Sequence, residues 1–100
     1  MEIKIVKTSS VKSIKKQFQK QFNCNLRLYK GSHLASDEMK ISDISKETNF
    51  KGSLELGARS RVKNVEDYFM QEFGVKAQIS NADDSKLAKD DMTLTQAGKL

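Results

Sequence analysis

Cys24 and His33 are the sole cysteine and the sole histidine of the chain, so any reading based on a thiol nucleophile or an imidazole base must start from them. A cysteine attacks as its thiolate, which needs a cation or helix end to lower its pKa. Cys24 instead opens an alternating apolar run and reads as a small buried hydrophobe. His33 lies in a polar stretch four residues after Tyr29, with no triad partner in view. One Cys and one His are too few for a structural zinc site. Asn81, Asp83 and Ser85 alternate as calcium ligands do, but the expected glycine is Lys86 and the expected closing glutamate is Met92. The glycines are isolated, so neither a dinucleotide fingerprint nor a P-loop is present. These residues predict a non-enzymatic chain with no cofactor and no metal.

The strongest polar signal is cationic. Lys12, Lys15, Lys16 and Lys20 recur at three- and four-residue spacing with no acid among them, a pattern that repels within a helix and attracts a polyanion from outside. Net charge is +5; residues 1–50 hold ten Lys/Arg against five Asp/Glu, and residues 51–100 hold eight against eight. The candidate polyanion- or partner-binding residues are Lys12, Lys15, Lys16, Lys20, Arg27 and Arg61, with Lys7 beside them. Tyr29, Lys76 and Gln78 form a candidate partner face on the strands.

One hundred residues, 37% hydrophobic and 31% charged without proline, are the composition of one folded domain, residues 1–100. A lone cysteine, no signal-like apolar run and no membrane-length segment lead us to expect a cytoplasmic protein.

The chain aligns with itself. An offset of 51 places Ile3 to Leu28 on Leu54 to Ile79, matching Ser9, Val11, Lys12, Phe18 and Phe22 with Ser60, Val62, Lys63, Phe69 and Phe73. After a two-residue insertion, Ser32, Leu34, Ala35, Asp37 and Met39 match Ser85, Leu87, Ala88, Asp90 and Met92. The repeat units are 1–50 and 51–100.

Each unit changes hydrophobic period from two to 3.6 and back. Strands are predicted over 2–7, 24–30, 52–57 and 75–81. Helices are predicted over 10–22, from the stripe Val11, Ile14, Phe18, Phe22, and over 60–73, from Val62, Val65, Phe69, Phe73. Ser9 or Ser10, and Ser60, are the expected N-caps, and Asn23 and Gly74 the left-handed helix ends. The linker 34–50 should hold a helical turn near Ile41 to Ile44, with 92–97 as its counterpart. The fold class is α+β. Two βαβ units predict a ferredoxin-like βαββαβ arrangement: a four-stranded antiparallel sheet, both helices on one face, and strands 24–30 and 75–81 at its edges.

Gln71-Glu72-Phe73-Gly74-Val75-Lys76-Ala77-Gln78-Ile79, followed by Asp91-Met92-Thr93-Leu94-Thr95-Gln96, resembles segments of small uncharacterised bacterial proteins with a duplicated βαβ unit. That resemblance implies no activity. Arg27 to Leu34, with Ile41 to Ile44 and Leu54 to Leu56, also resembles the second half of a ubiquitin-like β-grasp, the alternative fold. That pattern is incomplete here, because no hairpin precedes the first helix and no diglycine ends the chain.

Two functions follow as expectations. A non-enzymatic protein-interaction module, self-associating as a homodimer or holding another protein, is the first. Sequence-tolerant nucleic-acid binding through the basic face of the first helix is the alternative.

Overall fold

A computed structural model describes residues 2–6, 8–45, 53–57 and 59–100. The elements in order are β1 (Glu2–Lys4), α1 (Val11–Phe22), β2 (Asn25–Lys30), β3 (His33–Leu34), α2 (Ile41–Ile44), β4 (Ser53–Glu55), α3 (Val62–Phe73), β5 (Ala77–Ser80) and α4 (Leu94–Gly98).

The α+β class is as expected, but the four predicted strands do not form one sheet among the described residues. β1 pairs antiparallel with β4, and β3, β2 and β5 form a separate antiparallel sheet in that order. The ferredoxin-like order would hold β2 and β5 at opposite edges; here they lie side by side. Nor does β1 join a hairpin of the β-grasp kind, since its partner is β4. The reason lies in the inward residues. Leu26 faces Ile79 and Leu28 faces Ala77, so pairing β2 with β5 merges the apolar strips of both halves into one surface. α1 and α3 cover it with Val11, Ile14, Phe18 and Phe22, and with Val62, Val65, Phe69 and Phe73, all buried.

The two ladders are centred alike. Ile3 pairs with Leu54 and Arg27 with Gln78, residues that differ by 51 in each case, and adding 51 to one member of a flanking pair while subtracting it from the other returns the pair on the opposite side, as Glu2–Glu55 returns Ser53–Lys4 and Leu26–Ile79 returns Ala77–Leu28. The halves are thus related by an approximate two-fold axis through both ladders. Phe18 with Phe22 and Phe69 with Phe73 occupy corresponding places, their ring centroids 5.9 and 5.6 Å apart.

Helix ends show why the second repeated block exists. The first amides of α1, Val11 and Lys12, donate to the carbonyls of Met39 and Asp37 at 2.8 and 3.1 Å; those of α3, Val62 and Lys63, donate to Met92 and Asp90 at 2.9 and 3.1 Å. Backbone from a later segment satisfies donors that a helix start leaves open. Ile41 and Leu94 complete the arrangement by donating to Ser9 and Ser60. At the far ends Asn23 (φ 56°) and Gly74 (φ 65°) take the left-handed conformation expected of them.

Ser60 is not the N-cap of α3. Arg61 holds that position, and the Ser60 hydroxyl accepts from the Gly57 amide at 3.0 Å, as Ser9 does from Val6 at 2.9 Å. These turns also end β1 at Lys4, three residues before the predicted boundary. Ser10 is the side-chain cap of α1, accepting from Ser13 N at 3.0 Å, and Thr93 caps α4, accepting from Gln96 N at 3.1 Å. Ser10→Ala and Thr93→Ala should each cost about 1 kcal/mol, read as a lowered urea midpoint.

Candidate functional site

On α1 the buried stripe leaves the opposite side to lysine. Lys12, Lys16 and Lys20 are exposed and follow one another at one-turn intervals, about 6 Å apart along the axis. With Ser10, Ser13 and Gln17 they line a concavity of about 510 Å³. Gln17 fastens this face to the neighbouring strand: its amide accepts from Lys4 N at 2.8 Å and donates to Lys4 O at 3.0 Å. Lys4 is itself exposed beside it. Gln17 and Ser13 were not singled out by the sequence, though their place one turn apart alongside the lysine row carried the signal.

The six predicted cations do not share one surface. Lys15 leans away to Asp37, its ammonium 3.2 Å from the carboxylate, whereas Lys12, Lys16 and Lys20 have no ion pair among the described residues. Arg27 lies on the outer face of the sheet, where Nε donates to Asp84 at 2.7 Å. Arg61, at the start of α3, donates to the Asp91 carbonyl and lines a second concavity, of about 600 Å³, with Lys89, Lys99 and Asp91. Lys7 lies outside the described residues.

Tyr29, Lys76 and Gln78 do come together. The Tyr29 hydroxyl donates to Gln78 at 2.7 Å, and the Lys76 ammonium sits 5.1 Å from the centre of the same ring. Leu34 pairs with Tyr29, and Leu87 with Ser80, at the two margins of this outer face. They are 59% and 50% exposed.

Groups considered for chemistry are otherwise engaged. Cys24 is buried, and burial pushes its thiol up to about 11, far from a thiolate at neutral pH. Asp83 accepts from the Ser85 hydroxyl at 2.6 Å, and Asp84 binds Arg27 and Ser80. Among the described residues no group of three His, Cys, Asp or Glu is placed to hold a metal ion. No helix among them is long and apolar enough to cross a membrane.

No family model matches the chain, and neither curated proteins nor solved structures provide a similar one.

Proposed function

We propose that this chain is a non-enzymatic binding module that accepts the phosphate backbone of a nucleic acid along the Lys12–Lys16–Lys20 face, without reading base sequence. The observation that carries the proposal is three exposed lysines in one line beside a concavity, free of ion pairs among the described residues. The aligned residues of α3 are Lys63, Asp67 and Gln71, so the face belongs to one half only. Lysine is a point charge on a flexible stem, suited to phosphate and indifferent to bases. Affinity would come from released counterions.

Fluorescence anisotropy with unrelated DNA duplexes tests this. Three phosphates neutralised give a salt slope of about −2.7, so affinity should fall roughly 40-fold between 50 and 200 mM salt. Lys12→Ala/Lys16→Ala/Lys20→Ala should abolish both the binding and the slope. No binding by the parent chain at 50 mM salt would reject the proposal.

A protein-interaction reading has its own support in Leu34 and Leu87, exposed apolar side chains on both margins of the Tyr29, Lys76 and Gln78 face. If this face joins two copies, light scattering gives a dimer mass that Leu34→Lys/Leu87→Lys returns to monomer. A monomer in the parent chain rejects self-association.

A further inference from the structure

Apart from the lysine row, the fold gathers a second set of cations from separated places in the chain. Arg61 comes from the start of α3, Lys89 from the segment that closes that helix, and Lys99 from the end of α4; with Asp91, Met92 and Gln96 they line the hollow of about 600 Å³. Backbone bonds hold these pieces in register. Val62 N and Lys63 N donate to Met92 O and Asp90 O, Leu94 N donates to Ser60 O, and Arg61 pairs antiparallel with Thr93. Gly98, next to Lys99, is wedged against main chain at the end of α1.

The polar groups around the hollow are arranged for an anion. One arm of the Arg61 guanidinium donates to the Asp91 carbonyl, which fixes the group while its fork offers further donors. The Gln96 Oε1 accepts from Thr93 N at 2.9 Å, which leaves the NH2 of that amide for a ligand. Arg61, Lys89, Lys99 and the Asp91 carboxylate make no ion pair among the described residues. Duplication alone did not supply this set. The residues of the first half aligned with Arg61, Lys89, Asp91 and Gln96 are Ser10, Ser36, Glu38 and Asp43, while Lys46, aligned with Lys99, lies outside the described residues. Equivalent backbone therefore carries cations in one half and acids in the other.

We propose that this hollow binds a phosphomonoester, with Arg61, Lys89 and Lys99 taking its oxygens and the Gln96 amide donating a further bond. A monoester carries about −1.5 to −2 at neutral pH, which suits three cations set against one carboxylate. A backbone diester brings only a single charge per phosphate. The planar arginine fork fits phosphate oxygens two at a time, and the volume lies within the range of small-ligand clefts. Half-buried Met92 gives the organic part of the ligand an apolar wall. The site is independent of the phosphate-backbone reading of α1, and neither requires the other.

Titration of the isotope-labelled full chain with inorganic phosphate, at slightly alkaline pH and constant ionic strength, reads the site by amide NMR. The Arg61, Lys89, Gln96 and Lys99 resonances should move along one saturable curve with a midpoint of about 1 mM, the strength of three charge-assisted contacts. Arg61→Gln and Lys99→Gln should each weaken binding about tenfold, the loss of one such contact. Lys12→Ala/Lys16→Ala/Lys20→Ala should leave the curve in place. Shifts that stay linear into the tens of millimolar, that survive both glutamine variants, or that vanish with the lysine row would overturn the proposal. AMP and an end-phosphorylated duplex, the latter compared with its hydroxyl-ended twin, then separate a free nucleotide from a strand end as the source of the group. If neither moves the same four resonances, the hollow is not a phosphomonoester site.

Discussion

Phe69→Ala should lower stability by about 3–5 kcal/mol and Phe18→Ala by a similar amount, the largest effects of any single substitutions expected in this chain. Both rings are fully buried at corresponding places over the sheet. Against a total of about 5–15 kcal/mol for a domain of this kind, either loss removes a large share of the folded population. Phe69 should be the costlier of the two. It meets Tyr68 edge-on at 5.6 Å and Phe73 at 5.6 Å, whereas among the described residues the ring beside Phe18 is Phe22 at 5.9 Å. Such ring pairs add about 0.5–1.5 kcal/mol each beyond the area they bury. Urea unfolding of both variants measures the two costs. Losses below about 1.5 kcal/mol would mean that the aromatic layer is not the centre of the core.

The second prediction concerns close backbone approach. Gly98 ends α4 against the last turn of α1, and a methyl group there would stand 2.4 Å from the Phe22 carbonyl oxygen and 3.0 Å from that of Asn23. Both obstacles are main chain, so neither can swing aside. The equivalent contact on the other side of the molecular axis is made by Ser45, whose hydroxyl donates to the Phe73 carbonyl at 3.0 Å. Each short helix therefore docks on the end of the long helix from the opposite half. Gly98→Ala should cost about 1–3 kcal/mol through overpacking, outweighing any gain in helix propensity. Gly57→Ala is the natural control, because an added methyl there meets nothing within 4 Å. Thermal unfolding should show Gly98→Ala several degrees below the parent chain and Gly57→Ala close to it; equal midpoints would contradict the tight docking of α4.

These crossed contacts explain why part of the candidate site escaped the sequence. The lysine row on α1 was legible because helical periodicity is local: once Val11, Ile14, Phe18 and Phe22 face inward, Lys12, Lys16 and Lys20 must face out. The loss of Lys15 from that row to Asp37 was not, since it depends on where a segment twenty-two residues later is anchored. Arg27 joined the predicted cationic set by charge alone, and its neutralisation by Asp84 reflects a left-handed backbone at Asp84 (φ 60°) in a loop whose shape no periodicity encodes. Tyr29, Lys76 and Gln78 meet because strand alternation puts all three on the face away from the helices.

The amino-acid sequence by itself determined the element types, the amphipathic stripes, the left-handed helix ends at Asn23 and Gly74, and the correspondence of the halves at an offset of 51, all properties of residues close in the chain or comparable by type. Only the tertiary structure decided that β2 pairs with β5 and β1 with β4, and that later backbone segments close the N-termini of the long helices. Four half-buried strands bury the same apolar residues in more than one order. Which order is adopted depends on how both helices and their capping segments pack at once, a condition that no local run of residues carries.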